Sequence, residues 1–251
     1  MTRLPTSRPR LILAIAAGIM TALLAGPALA QSLNIDLGGP QASATSRIIQ
    51  LIALTTVLSV APSILVMVTS FTRFVVVLGF LRQALGTQQS PPNTVMVSLA
   101  MFLTAFVMAP TFEKAWTDGI QPVMDGHLDE LEGFEKAVRP FHAFMSKHVR
   151  AQDLKLFMDL SRSREVARAE DVPLKALIPA FMISELRRAF EIGFLVFLPF
   201  LIIDMVIASV LMSMGMMMIP PAMISLPFKL IFFVMVDGWY LVVGSLVQSY
   251  G

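Results

Sequence analysis

Asp204 and Lys229 are ionisable residues within the apolar C-terminal part of the sequence. A charge at membrane depth requires an opposite charge or water, and such residues serve ion pathways and proton relays. Asp204 lies 16 residues before Pro220, whereas Lys229 lies 8 residues after Pro221. If both arms are helical up to this turn, the depths of the two charges differ by roughly 12 Å at 1.5 Å per residue. The spacing predicts that they pair across a boundary between copies of the chain, unless a break at Pro227 shifts the register.

Four further charges, Glu185, Arg187, Arg188 and Glu191, precede the same apolar stretch. On a helix, Glu185 can meet Arg188 at i,i+3, and Arg187 can meet Glu191 at i,i+4. One interpretation is a solvated helix end, where such pairs contribute little free energy. The other is a contact between copies, for which Arg150 of a neighbouring copy is the candidate partner of Glu185.

Methionines are concentrated beside a turn that carries no charge, Ile219–Ala222, with Pro220 and Pro221 at its centre. Methionine is unbranched and deformable, so a ring of such side chains could seal against ions and still part for a polypeptide. A hydrophobic constriction can also gate a pore by losing its water. The alternative is that methionine fills a loosely packed core. The candidate gasket residues are Met214, Met216, Met217 and Met218.

The sequence contains no recognisable catalytic or cofactor-binding motif. His127, His142 and His148 lack the HExxH spacing of a zinc enzyme, and the chain has no cysteine. No nucleophile elbow, phosphate-binding loop or dinucleotide fingerprint occurs either. We therefore expect no enzymatic activity, no metal and no cofactor.

The composition indicates a membrane protein. Of the 251 residues, 56% are hydrophobic and only 14% are charged, against about 25% charged in a soluble domain. Residues 113–191 hold 26 of the 36 charged side chains. The order of segments predicts a signal peptide over 1–30, a flexible lead-in over 31–47, a hydrophobic helical pair over 48–112, a polar helical module over 113–176 and a hydrophobic helical hairpin over 177–251.

Residues 1–30 have the basic start, the apolar run and the small-residue site of a cleavable signal peptide. Cleavage after Ala30 would remove Arg3, Arg8 and Arg10 and change the formal charge from +2 to −1. An uncleaved N-terminal anchor is the alternative. A charge near zero argues against nucleic acid as a partner.

The charge pattern also predicts a topology. Residues 48–72 and 93–112 are uncharged and long enough to cross a bilayer, with Pro62 expected to kink or interrupt the first. Between them lie Arg73 and Arg82 without an acidic residue, which places this segment in the cytoplasm by the positive-inside rule. Residues 113–176 and the mature N-terminus would then be periplasmic.

Within 113–176, apolar residues recur at helical spacing, and Ser161–Asp171 is expected to be an exposed connector. The fold class is therefore all-α, with two hydrophobic helical hairpins flanking a periplasmic helical module.

Several long blocks of the sequence resemble the FliP family of type III export-gate proteins, from about residue 48 to the C-terminus. The resemblance is specific because the blocks occur in order. They include Ser70–Arg73, Ala84–Asn93, Pro179–Phe181, Ser184–Leu186, Ala189–Phe194, Leu198–Asp204, Ala208–Met212, Met214–Met218, Ser225–Lys229, Val236–Trp239 and Gly244–Leu246.

The resemblance implies a pore-forming subunit of the flagellar protein export gate in the bacterial inner membrane, at the flagellar basal body. It implies five copies in a ring with FliQ-like and FliR-like subunits, within the larger export apparatus, through which unfolded flagellar proteins pass. The injectisome counterpart of the same family is one alternative. An ion-coupled secondary transporter is the other, since proline-broken apolar helices with a buried acid and base suit such a carrier.

Overall fold

The computed structural model describes residues 44–87, 89–162, 171–216 and 218–251, and the regular elements in these ranges are helical. The predicted signal peptide and most of the predicted lead-in lie outside them. The elements are α1 (Ala44–Val68), α2 (Phe71–Leu85), α3 (Asn93–Ala115), a π-helix (Trp116–Ile120), α4 (Gln121–Met124), α5 (Glu130–His148), α6 (Ala151–Leu160), α7 (Leu174–Ser213), α8 (Pro221–Met235) and α9 (Gly238–Gln248).

The chain divides into two units, residues 1–56 and 57–251. In the described part of the first unit, α1 begins at Ala44, so the last four residues of the predicted lead-in are helical. Ile48, Ile49 and Ile52 are each more than half exposed. The second unit contains α2 to α9 and both hydrophobic cores.

Helix ends follow from glycine and proline. Gly86 ends α2 at φ 76°, a left-handed conformation that glycine adopts without strain. Pro92 precedes α3, and Pro221 occupies the first turn of α8, where its missing N–H costs nothing. Asp237, at φ 50°, separates α8 from α9, and the two helices bend by 64°. The second arm of the predicted hairpin is therefore broken at Asp237.

The prolines inside helices do not end them. α1 continues through Pro62 and α8 continues through Pro227, so neither proline interrupts its helix. Proline is tolerated inside apolar helices of this kind when neighbouring groups satisfy the freed backbone carbonyls. α7 likewise runs through Pro179 and Pro199 over 40 residues.

Apolar length identifies the candidate membrane spans. Within the described residues, Leu51–Val68, Asn93–Met124 and Leu174–Ser213 are long and apolar enough to cross a membrane, and the bent α8–α9 pair is a fourth if it counts as one span. An all-helical membrane protein with three or four long apolar helices is thereby confirmed.

α2 lies at the centre of the larger core. Phe74, Val77, Leu78 and Leu81 on this helix have no exposed surface. Along α2, Arg73 contacts Glu185 of α7, and Phe80, one helix segment later, contacts Phe190 of α7. The ring centroids of Phe80 and Phe190 are 5.0 Å apart. The contacts thus advance in the same direction along both helices. The two helices are therefore parallel neighbours.

The central position of α2 corrects the predicted topology. Arg73 binds Glu185, and the adjacent Ser184 accepts a hydrogen bond from the backbone N–H of Arg150, in the predicted periplasmic module. Arg73 therefore lies close to Arg150, whereas the charge count predicted a membrane span between their segments. The count treats each arginine as a solvated charge, whereas Arg73 is buried and neutralised by Glu185.

The module between α3 and α7 packs its helices closely. Gly119 in the π-helix and Gly133 in α5 allow this approach, because a Cβ at Gly119 would lie 2.6 Å from Ala137. Met145 and Met158 form a second core with Val172 and the start of α7. Most of the predicted connector, residues 163–170, lies outside the described ranges.

Candidate functional site

A fully buried ion pair joins α2 to α7. The Arg73 Nε–H donates to Glu185 Oε2 at 2.8 Å, and Nη2 donates to Oε1 at 2.5 Å. Both side chains have 0% exposure. The parallel, two-bond geometry is the strongest form of arginine–carboxylate contact and compensates for loss of water around both charges.

The C-terminal residues complete this pair. Arg73 Nη1 donates to the Ser249 hydroxyl at 2.7 Å and to the Ser249 carbonyl at 3.2 Å. The guanidinium carbon lies 3.6 Å from the centroid of the Tyr250 ring, a cation–π contact. The Tyr250 hydroxyl donates to Glu185 Oε2. Each nitrogen of the buried guanidinium therefore has a partner.

His148 closes one side of the same cluster. Its Nδ1 lies 2.8 Å from the Phe144 carbonyl oxygen, and its Nε2 lies 3.4 Å from the Tyr250 carbonyl oxygen. Burial lowers the pKa of His148 below its ordinary value, an effect larger than the opposing contributions of the two carbonyls and Glu185. Burial, followed by the charge of Glu185, raises the pKa of Tyr250, which keeps its hydroxyl a donor.

A second polar cluster joins α7, α8 and the end of α2. Lys229 Nζ donates to Asp204 Oδ2 at 2.6 Å and to the Ala84 carbonyl at 3.1 Å. The Ser225 hydroxyl donates to Asp204 Oδ1 at 2.6 Å. Lys229 is almost fully buried, whereas the Asp204 side chain is 32% exposed. Each charge thus has its partner within one chain.

This contact shows that the predicted depth mismatch between Asp204 and Lys229 is wrong. The prediction counted helix as far as the prolines, but α7 ends at Ser213, and residues 214–216 and 218–220 are not helical. Measured from the helix ends, Asp204 lies 9 residues before Ser213 and Lys229 lies 8 residues after Pro221. At 1.5 Å per residue the two depths agree to about 2 Å, so no second copy is needed.

The predicted pairing of Glu185 with Arg150 is also not what the chain shows. Glu185 is enclosed by Arg73 and Tyr250 and offers no exposed surface to a neighbour. Arg150 lies 3.7 Å from the Asp153 carboxylate and donates from Nη2 to Gln152 at 3.0 Å. The reason is tertiary: α2 brings Arg73 across 112 residues of sequence to Glu185.

Of the two pairs predicted within α7, Arg187 with Glu191 is confirmed, whereas Glu185 binds Arg73 of α2 in place of Arg188. Arg187 Nε donates to Glu191 Oε1 at 2.9 Å, and the two side chains are 55% and 59% exposed. Such an exposed i,i+4 pair contributes little to stability.

The methionine-rich loop is exposed in the single chain. Met214, Met216 and Met218 are 61%, 42% and 98% exposed, and Met217 lies outside the described residues. The loop connects α7 to α8, whose first residue is Pro221, and Pro220 and Pro221 are exposed as well. The ends of the loop are fixed by the Asp204–Lys229 cluster about two turns away on each helix.

Among the residues that the structure describes, no group of three or more His, Asp or Glu side chains could hold a metal ion. His142 Nε2 lies 2.7 Å from the Val172 carbonyl oxygen, and His148 belongs to the buried cluster. Both histidines thus make structural contacts.

Three residues of the buried Arg73–Glu185 cluster were not predicted from the sequence: Arg73, Ser249 and Tyr250. Arg73 was counted as a loop charge, although its position at the start of an apolar helix was a signal for a buried ion. No signal in the sequence singled out the C-terminal residues. They are recognisable only from their contacts across the fold.

Comparison with known proteins accounts for this architecture, that of an apolar, all-helical membrane protein with buried ion pairs. The FliP family model matches residues 54–246. The chain belongs to the FliP family.

Similar proteins named flagellar biosynthetic protein FliP occur in distant bacteria. The protein of Caulobacter vibrioides is 59% identical over 240 residues, covering 95% of this chain and 90% of its own length. That of Agrobacterium fabrum is 51% identical, covering 90% of this chain and 94% of its own length. That of Bacillus subtilis is 55% identical, covering 82% and 93%.

Proposed function

We propose that this chain is a pore-forming subunit of the flagellar type III protein export gate, through which unfolded flagellar proteins cross the inner membrane. Membership in the FliP family supports the proposal, because the similar proteins are named for flagellar biosynthesis. The observation that carries it is the exposed, charge-free methionine loop between α7 and α8. A loop that faces water or lipid headgroups is normally polar, so this one is suited to line a constriction between copies.

The length of α7 supports an assembly. Its 40 residues correspond to about 60 Å of helix, roughly twice the hydrocarbon thickness of a bilayer. Large side chains project from it with more than half of their surface exposed, including Phe190, Phe194, Leu195 and Met205. The uncharged stretch between Glu191 and Asp204 has 12 residues, about 18 Å of helix, which is shorter than the roughly 30 Å hydrocarbon core. Other protein chains are therefore the better cover for part of this surface.

The partners follow from the family resemblance. We propose a ring of five copies, completed by FliQ-like and FliR-like membrane subunits and embedded in the larger export apparatus at the flagellar basal body. In this arrangement two hydrophobic hairpins, 48–112 and 177–251, flank the helical module. α2 lies inside the first hairpin as a helix packed on α7, not as a cytoplasmic loop. Residues 113–176 face the periplasm, and the mature chain follows a signal peptide over 1–30.

The gate works by physical exclusion. Met214, Met216, Met217 and Met218 from each copy form a gasket that closes around the pore when no substrate is present. The thioether side chains bend aside with a small loss of contact when a polypeptide enters, and the dry constriction opposes ion leakage. The chain supplies no catalytic group, so the energy for export comes from partner proteins.

An ion-coupled transporter fits the structure less well. Asp204 and Lys229 already neutralise each other within one chain, with Ser225 and the Ala84 carbonyl as further partners. A coupling site would instead leave a group open to the transported ion. The injectisome counterpart is disfavoured because the similar proteins are named as flagellar.

Native mass spectrometry of the detergent-solubilised chain tests the assembly. We expect a discrete multimer that gains the FliQ-like and FliR-like subunits when these are co-expressed. A stable monomer or dimer that ignores both partners would contradict the proposal. Export of hook or filament protein into the medium, restored in cells lacking their own FliP, tests the function independently of the stoichiometry.

A further inference from the structure

We propose that Ser249 and Tyr250 form a clasp over the buried Arg73–Glu185 pair, so that α2, α5 and α7 reach their packed state only when these two residues are in place. The clasp comprises Arg73, Glu185, Ser249 and Tyr250. The inference concerns closure of the individual chain and is independent of what passes through the assembly.

The first support is that the Arg73 guanidinium binds two partners through different nitrogens. Glu185 accepts from Nε and Nη2, which leaves Nη1 pointing away from the carboxylate. That nitrogen is bound by the hydroxyl and the carbonyl of Ser249. Without Ser249, a buried charged donor would lose its partners, and water would have to enter the junction to replace them.

The second support is the double role of Tyr250. Its ring lies over the Arg73 guanidinium, and its hydroxyl binds the Glu185 carboxylate, so it contacts both members of the ion pair. Tyr250 is only 6% exposed. One side chain therefore excludes water from both charges and also replaces one of the hydrogen bonds that water would make.

The third support is the seating of the ring against two helices. The ring packs on Phe74 of α2, with a centroid distance of 5.6 Å, and on Phe144 of α5, at 5.8 Å. The ring of His148, also on α5, lies 5.2 Å away. Since Glu185 is on α7, Tyr250 touches all three helices of the junction at one point.

The residues of the clasp lie far apart in the sequence, so their contacts form late in synthesis. Arg73 and Ser249 are 176 residues apart, and Glu185 and Tyr250 are 65 apart. Ser249 and Tyr250 follow α2, α5 and α7 in the sequence. The helices to be joined are therefore synthesised well before the group that joins them, and a chain that ends early leaves the junction open.

Cysteine labelling can test the clasp without background, because the chain contains no cysteine. Ala180→Cys places a reporter on α7 at a position with 0% exposure, one turn before Ser184. Ala100→Cys is the matched reporter on α3, equally buried but on a helix that contributes no residue to the clasp. A water-soluble maleimide is applied to the full chain, to a chain ending at Gln248 and to Tyr250→Ala, each solubilised in detergent.

We expect the labelling rate at Ala180→Cys to rise at least about tenfold in the truncated chain and in Tyr250→Ala, while Ala100→Cys stays protected. Tyr250→Phe keeps the ring and loses only the hydroxyl, so its rate should lie between those of Tyr250→Ala and the full chain. A chain extended by a short polar tag after the exposed Gly251 should be labelled like the full chain, because the clasp is retained.

Two results would overturn the proposal. In the first, Ala180→Cys stays protected in the truncated chain, which would mean that the junction closes without its last residues. In the second, both reporters become labelled at the same rate, which would mean that the truncation unfolds the whole chain instead of opening one junction.

Discussion

Lys229 on α8 lies 2.6 Å from Asp204 on α7, so the charge that interrupts each arm is neutralised by the charge on the other. The same ammonium group reaches back to the carbonyl of Ala84 at the end of α2. One lysine thereby ties together the two helices that carry the methionine loop and the helix at the centre of the core. The Asp204–Lys229 contact therefore restrains the two helices from which any movement of the methionine loop would start.

Removing one member of this pair should destabilise the chain more than removing both. For Asp204→Asn or Lys229→Met we expect a loss of about 1–3 kcal/mol, below the 3–5 kcal/mol of fully buried pairs because Asp204 is partly exposed. The combination of Asp204→Asn with Lys229→Met should recover part of the loss, since no unpaired charge remains. Denaturant unfolding in detergent measures all three. A double variant that loses the sum of the two single losses would mean that the two charges do not interact.

The Arg73–Glu185 pair should show the full effect of burial. We expect Arg73→Met to cost about 3–5 kcal/mol, because Glu185 would be left buried without its main partner. Arg187→Met is the matched control, because it breaks the exposed pair with Glu191 and should change stability by at most about 0.5 kcal/mol. Thermal unfolding monitored by circular dichroism compares the two. Similar losses for both variants would show that burial does not set the energy of these pairs.

The methionine loop should affect leakage and not folding. Combining Met214→Ala, Met216→Ala and Met218→Ala shortens exposed side chains, so the stability of the single chain should stay within about 0.5 kcal/mol. In the assembled gate we expect an increased ion leak, measured as dye or ion flux through reconstituted vesicles. Met145→Ala is the control, since Met145 is 1% exposed and its truncation should cost about 2–5 kcal/mol. An unchanged ion leak in the triple variant would contradict the proposed role of these methionines as a gasket.

His148 should make stability depend on pH. Because burial lowers its pKa in the folded chain, the unfolded chain binds the proton more tightly. The stabilisation is therefore complete above the unfolded value of 6.5 and is lost as the pH falls through the lower folded value. His148→Gln should flatten this part of the stability profile between about pH 7 and pH 5, whereas His127→Gln, at an exposed position, should leave it unchanged. Identical profiles for the native chain and His148→Gln would contradict the assignment.

Gly193 should not tolerate a side chain. A Cβ at this position would lie 2.4 Å from the ring of Phe80, so Gly193→Ala forces α2 and α7 apart and should cost about 1–3 kcal/mol. Gly244→Ala is the control: it lies within α9, where a Cβ would meet nothing within 4 Å, and should raise stability by up to about 1 kcal/mol. Denaturant midpoints of the two variants should therefore move in opposite directions. A loss in both would point to backbone effects instead of the contact with Phe80.

The sequence by itself determined the apolar helices and the helical module. Long uncharged runs predict helices wherever the backbone must satisfy its own hydrogen bonds, and α3, α7 and the α8–α9 pair lie where these runs do. The i,i+4 pair of Arg187 with Glu191 was predictable for the same reason, since local spacing on a helix is enough to bring the two together. Family membership was also readable, because many ordered blocks of residues carry it.

Only the tertiary structure decided where the buried charges go. Arg73 and Glu185 are 112 residues apart, and no local pattern distinguishes an arginine in a loop from one neutralised in a core. Asp204 meets Lys229 because α7 ends at Ser213, seven residues before the prolines, and a helix end cannot be placed to within a turn from an unbroken apolar run. The role of Tyr250 follows from three helices converging on one ring. Such contacts depend on the packing of distant segments, which is a property of the whole fold.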